Sequence, residues 1–222
     1  MNTTPNIKSK TIQRLLGNRK KMELTRAVSK KVERLNDLLI KIVRPQLYFQ
    51  LNKFSIAKNK VFISDSDIYF SSYKLSKSLK FCEEMVSFVL TLGHRLDREI
   101  DKLTKKNRMS EAYILDLMGS VAAESVIEEF QKRMQKQVEA KGNDVSLRFS
   151  PGYCDWSIKE QRKLFDLLYE NQSIVTINES LIMSPRKSIS GVFGIYPKSK
   201  ASGERYNPCL ECNKVNCIAR RI

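Results

Sequence analysis

The stretch Arg148–Ser157, RFSPGYCDWS, reads as the end of a strand, then Pro-Gly, then aromatic rings, a cysteine and an acid just before a helix. Pro151 fixes φ and Gly152 lets the backbone approach another group closely, and a plain connection uses both. Arg148 and Tyr153 exceed what a turn requires. A guanidinium can capture a carboxylate or phosphate through two parallel hydrogen bonds, and a phenol ring offers a flat apolar face with a hydroxyl handle. The stretch is therefore either a ligand-holding loop or a tight turn whose Tyr153 and Trp156 fold back as a lid on the core.

The flanking sequence gives the frame. DVSLRF (144–149) reads as a strand with Val145, Leu147 and Phe149 on one face, and Ser157 and Glu160 form a capping box for a helix through Leu168. Downstream, SIVTINES and SISGVFGIY read as two further strands around a polar turn. In the second of these, Ser188, Ser190 and Gly191 stand where a buried strand is usually more apolar, which hints at a ligand or a closely packed backbone. Upstream, Val28, Val32, Leu35, Leu38, Leu39 and Ile42 recur at helical spacing and Pro45 marks the end of that helix. LYFQLNKF and KVFIS read as a hairpin-like strand pair. Ser76 through Leu90 reads as a helix broken at Thr91–Gly93, followed by a charged helix and then the longest, from about Ser110 to Ala140. The expectation is an α+β fold: one domain with a mixed or antiparallel sheet flanked by long helices.

Composition bounds the function. The chain has 222 residues, 41% apolar and 29% charged, enough for one packed domain. The N-terminus lacks the apolar core of a signal peptide, and no run approaches a membrane span, so five cysteines point to reduced thiols in a cytoplasmic protein. The net charge of +16 is concentrated at the ends: residues 1–60 hold 15 Lys/Arg against 3 Asp/Glu, and residues 185–222 hold 8 against 2. Basic ends attract phosphates or an acidic protein surface equally well, and a solvated lysine-rich helix face gives the same composition. Basic motifs interleaved with aromatics are missing, which argues against nucleic acid. There is no G-x-G-x-x-G after a strand, no P-loop and no HExxH, and His94, the single histidine, stands beside no nucleophile motif.

RFSPGYCDWSIKEQRKLFDLL followed by TINESLIMSPRKSISGVFG resembles the activation domain of cobalamin-dependent methionine synthase. That family shows Arg, two residues and Pro-Gly-Tyr, then Glu-Ser, Met, a residue and Pro, then Ser-x-Ser-Gly. The same elements stand here at Arg148, Pro151, Gly152, Tyr153, Glu179, Ser180, Met183, Pro185, Ser188, Ser190 and Gly191. The helix YILDLMGSVAAESVIEEFQKRM is similar to the family's long helix, and LKFCEEMVSFVLTLG to the compact, separately encoded form of the domain. Tyr206 alone stands for a tyrosine pair that usually follows the last motif.

The resemblance implies S-adenosylmethionine binding and a part in reductive methylation, which restores methylcobalamin after accidental oxidation of the corrinoid to cobalt(II). It assigns Arg148 to the methionyl carboxylate, and Glu128, with Glu124 one turn before it, to the cationic end of the ligand. The backbone of Ser150 to Gly152 would read adenine, and Tyr153 would pack on the nucleoside, with Ser188, Ser190 and Gly191 completing the binding motif. The implied partners are a cobalamin-binding methionine synthase subunit, which presents the cobalamin, and a flavodoxin-type electron donor. The same motifs allow another corrinoid methyltransferase to be the one served.

Three regions follow: a basic N-terminal arm (1–22), the activation-domain-like body (23–200) and a basic cysteine-containing tail (201–222). In CLECNKVNC, Cys209, Cys212 and Cys217 can occupy three corners of a zinc or iron–sulfur site, with Cys154 or Cys82 as a fourth ligand. A reduced tail without metal is the plainer reading.

Overall fold

The structure is a computed structural model that describes residues 25–168, 174–200, 206–213 and 217. The basic arm over 1–22 lies outside the described residues. The elements in chain order are helix α1 (Arg26–Ile42), strands β1 (Gln46–Asn52), β2 (Phe54–Ala57), β3 (Lys60–Ile63) and β4 (Tyr69–Ser71), then α2 (Tyr73–Ser78) and β5 (Glu84–Thr91). Helices α3 (His94–Lys105) and α4 (Met109–Glu139) follow, then β6 (Asn143–Val145), a 3-10 turn (Ile158–Glu160), α5 (Gln161–Leu168), β7 (Thr176–Ile177), β8 (Met183–Ser184) and β9 (Ser188–Pro197). One sheet has the order β1-β5-β9-β6, a second β2-β3-β4, and β7 pairs with β8. The pairings β2–β3, β3–β4, β6–β9 and β7–β8 are all antiparallel. The fold class is α+β, as the interleaved patterns predict.

The chain groups into two compact units. The first comprises residues up to Tyr48, Val89–Phe130 and Ser173–Ile189. Its α1 begins at Thr25, whose Oγ1 accepts from Val28 N, and buries Val32, Leu35 and Leu39. Leu96, Ile100 and Leu103 form the buried stripe of α3, and Leu115, Met118, Ala122 and Ile127 are among those buried on α4. Glu111 is 6% exposed and paired with both Arg34 and Arg108, so its buried charge is matched.

The second unit comprises Phe49–Phe88, Gln131–Gln172 and residues from Ser190 onward. Its interior holds Phe70, Leu75, Leu79, Phe88, Trp156, Leu164 and Phe193. Phe70 meets Trp156 edge-on at 5.1 Å between ring centroids, and Phe88 meets Phe193 at 6.1 Å. β6 pairs with β9 from Asn143–Pro197 to Val145–Ile195, and an isolated bridge joins Phe149 to Val192.

Four local expectations are corrected. Ser76–Leu90 is not one helix: α2 stops at Ser78 and Glu84–Thr91 is a strand, buried from Met85 to the end. A strand buried on both faces loses the alternation that marks a half-exposed one, so period alone cannot separate it from a helix. KVFIS does pair, but with β2 (Ile56 opposite Val61), because LYFQLNKF breaks at Lys53 and its first part, β1, joins the other sheet. DVSLRF is regular only to Val145, and Phe149 returns to β9 as a single bridge. The capping box is not reciprocal. Ser157 Oγ accepts from Lys159 N, while the Glu160 carboxylate accepts from Ser71 N at 2.7 Å, Trp156 Nε1 at 3.3 Å and Lys163 Nζ at 2.8 Å.

Candidate functional site

The Arg148–Ser157 stretch leaves the Phe149–Val192 bridge and folds into a closed turn. Gly152 N–H donates to Trp156 O at 2.8 Å, Tyr153 N to Ser150 O at 3.2 Å and Trp156 N to Tyr153 O at 3.1 Å. Gly152 sits at φ +89, and Cys154 also lies in the left-handed region at φ 56. Glycine adopts that backbone freely; a side chain there is uncommon and is held by its surroundings. Those surroundings are Asp155, whose Oδ1 accepts from Ser72 Oγ at 2.7 Å and whose Oδ2 accepts from Lys74 N at 3.2 Å. Ser72 in turn caps α2 by accepting from Leu75 N. The loop is thus fastened at Asp155 to the start of α2 and at Glu160 to β4.

The two rings divide between the two readings of the loop. Trp156 is 1% exposed and belongs to the core. Tyr153 is 53% exposed, so it is not part of a lid. Arg148 and Ser150 are half-buried, and Pro151 is buried beneath them in sequence. With its N–H already donated to Trp156, Gly152 cannot offer that donor to a ligand without opening the turn.

Ser190 and Gly191 lie in the same unit, at the start of the buried part of β9. A Cβ at Gly191 would strike the Phe149 carbonyl oxygen, lie 2.8 Å from Ser150 Oγ and 3.1 Å from Phe88 Cζ. The glycine therefore lets the backbone leading into the Pro-Gly turn lie directly on β9. Of the two explanations for a small residue here, close backbone packing has a geometric basis. Ser190 is 3% exposed.

The remaining motif residues belong to the first unit. Glu124 and Glu128 are both exposed on α4, one turn apart on the same face. Glu179 and Ser180 sit in a tight turn where Leu181 N donates to Asn178 O and Ile182 N to Asn178 Oδ1. After Met183 and the cis Ser184–Pro185 bond, Ser188 Oγ donates to Pro185 O at 2.6 Å. Arg186 binds Asp101 Oδ1 at 2.7 Å and Asp97 through its main-chain N at 2.8 Å, and Lys187 binds Asp116 at 2.9 Å and Ser120 Oγ at 3.0 Å. Sequence reasoning missed these acids, along with Asp155, because their partners are too distant in sequence to leave a local signal.

The cysteine tail carries the other candidate site. No three His, Cys, Asp or Glu side chains are gathered to hold a metal ion among the described residues, although Cys209, Cys212, Cys217, Cys154 and Cys82 are all described. Cys82 is further removed from that role by packing. A Cβ on Gly194 would strike its sulfur, and burial pushes its thiol up to about 12. No helix among the described residues is long and apolar enough to cross a membrane.

Comparison with known proteins agrees with the motifs. No curated protein matches the chain. The crystal structure of the MetH reactivation domain bound to AdoHcy is similar in fold, with a TM-score of 0.62 and 16% sequence identity, over 90% of this chain and 72% of that one. The model of the family described as vitamin B12 dependent methionine synthase, activation domain, matches residues 71–203. That span exceeds half the chain and contains both motif loops, and the chain belongs to this family.

Proposed function

We propose that the protein is the S-adenosylmethionine-binding reactivation component of a cobalamin-dependent methionine synthase, supporting reductive methylation of cob(II)alamin to methylcobalamin. The observation that carries this reading is the loop at Arg148–Trp156: it is fastened at both ends, yet leaves the Tyr153 ring 53% exposed, with Pro151 buried and Arg148 half-buried in the same stretch. Such pre-organisation lowers the entropy lost when a ligand is held. In the proposed pose the Arg148 guanidinium takes the methionyl carboxylate and Tyr153 covers the nucleoside. Adenine is read at Ser150, since the Gly152 N–H is engaged by Trp156 O. The assignment of Glu124 and Glu128 to the cationic end stands on the family resemblance and on their exposure. The place of Ser188, Ser190 and Gly191 in the binding motif stands on the family resemblance, and Gly191 also lets the backbone leading into the turn lie on β9.

S-adenosylmethionine supplies the methyl group, and an electron donor of flavodoxin type supplies the electron. The corrinoid comes with a partner, the cobalamin-binding subunit of the synthase. The basic charge at the chain ends suits an acidic donor in the cytoplasm, where exposed charges raise encounter rates at low salt. Thermal shift with S-adenosylmethionine against a short oligonucleotide, at two salt concentrations, tests the reading. Stabilisation by S-adenosylmethionine that persists at high salt supports it; salt-sensitive stabilisation by the oligonucleotide alone overturns it. Reversing Arg19, Lys20 and Lys21 to glutamate should slow cobalt(II) loss with donor at low salt and leave S-adenosylmethionine affinity within about twofold, because they lie outside the motif loops in sequence and charges are screened over about 10 Å at ordinary salt.

A further inference from the structure

The segments that carry three of the five cysteines are tied to one short helix. Cys154 precedes Asp155, which holds Ser72 Oγ and Lys74 N at the start of α2. Cys209 and Cys212 flank Glu211, which accepts from Lys77 Nζ at 2.7 Å, on the last turn of the same helix. Glu211 also accepts from Tyr206 OH at 3.1 Å, and Lys77 Nζ lies 4.6 Å above the Tyr206 ring. Cys209 is fixed in a turn by its N–H donating to Asn207 Oδ1 at 3.0 Å. The loop and the tail segment are therefore each tied to α2 within Ser72–Lys77, less than two helical turns.

We infer that Cys154 and Cys209 form a reversible disulfide on two-electron oxidation, joining the tail segment to the Pro-Gly loop.

Cys154 is exposed, and Cys209 and Cys212 are half-buried, so an oxidant can reach the group. With hydrogen peroxide as the oxidant, the Cys209 thiolate attacks one peroxide oxygen and becomes a sulfenic acid, releasing the first water after protonation. The Cys154 sulfur then attacks the sulfenic sulfur, expels the second water and closes the S–S bond. Two thiols lose two electrons and two protons, and one peroxide becomes two waters. A thiol reductant reverses the step by exchange.

The whole chain, reduced and then treated with one equivalent of hydrogen peroxide, is trapped with N-ethylmaleimide and cleaved after Lys, Arg and Glu without reductant. Cleavage at Glu211 separates Cys209 from Cys212. Mass spectrometry is expected to find the Cys154 peptide joined to the Cys209 peptide, with Cys82 and Cys212 alkylated. Cys209→Ser should remove the linked species and Cys212→Ser should retain it. Cys154 fully alkylated after oxidation in the wild type, whether beside a Cys209–Cys212 bond or with no bond formed, overturns the inference. That wild-type readout needs no variant to fold.

Discussion

Two loops carry the family's motifs, each entered through Ser-Pro, and they use their polar residues differently. In the loop after Pro185, both cations are committed internally: Arg186 to Asp97 and Asp101, Lys187 to Asp116 and Ser120. In the loop after Ser150, the fastening is done by main-chain bonds, by Asp155 and by the buried Trp156, while the Tyr153 ring faces outward. A cation in a motif loop is therefore no sign of a ligand in itself. What separates the two loops is the exposed ring: the loop after Pro185 commits its cations to acids of α3 and α4, and the loop after Ser150 turns Tyr153 outward.

The largest effect that would break this comparison is at the anchor of the first loop. Trp156→Ala should destabilise the protein by about 3–5 kcal/mol, because a fully buried ring packed on Phe70 leaves a cavity. Denaturant unfolding measures it, and a loss below 1 kcal/mol would mean that the loop is not built on the core (about 1 kcal/mol being the effect of an average point substitution). Gly191→Ala comes next, at about 1–3 kcal/mol, since a Cβ there forces the Phe149 carbonyl and Ser150 away from β9. Unchanged stability would show that the backbone yields and that the glycine answers to something other than packing.

In the second loop, Lys187→Ala should cost about 1–2 kcal/mol by removing a mostly buried cation from Asp116 and Ser120. It should leave S-adenosylmethionine affinity unchanged within about twofold, since no part of the proposed pose uses Lys187, and context effects of that size are ordinary. A titration showing a larger loss would move the binding surface toward this loop.

The smallest effect concerns pH. Hydrogen bonds from Lys77 and Tyr206 hold the Glu211 carboxyl below its usual range. A carboxyl lowered on folding stabilises above its unfolded pKa and loses that contribution as pH falls through its folded value. Limited proteolysis of the tail near Tyr206–Glu211 should be resisted at neutral pH and should increase in acid, below the ordinary glutamate range. Glu211→Gln should be cleaved equally fast at both. The same rates for wild type at both pH values would detach the tail from α2.

Much of this was legible beforehand, for reasons that differ by element. α1 and the long α4 were readable because a repeated apolar stripe and the Pro45 stop are local signals. Glu84–Thr91 was misread because a strand buried throughout carries no alternation, and only its Val86, Phe88 and Val89 favoured a strand. Glu160 satisfied the capping-box pattern, yet its carboxylate is taken by Ser71, Trp156 and Lys163, a tertiary choice that no local spacing encodes. At the site, Arg148 and Tyr153 stood out as residues a turn does not need. Asp155 did not, because its partner Ser72 is 83 residues away. Metal binding was suggested by the spacing of Cys209, Cys212 and Cys217, but spacing fixes reach along the chain and not convergence in space.

The central proposal is that Arg148, and not Arg186, holds the carboxylate of S-adenosylmethionine. Titration calorimetry of S-adenosylmethionine into wild type, Arg148→Ala and Arg186→Ala tests it most directly. Loss of a charge-assisted bidentate contact should cost about 1.5–3 kcal/mol, so Arg148→Ala should bind at least roughly tenfold more weakly. Arg186→Ala should bind as wild type does. Equal affinity for wild type and Arg148→Ala, or a loss confined to Arg186→Ala, would contradict the account.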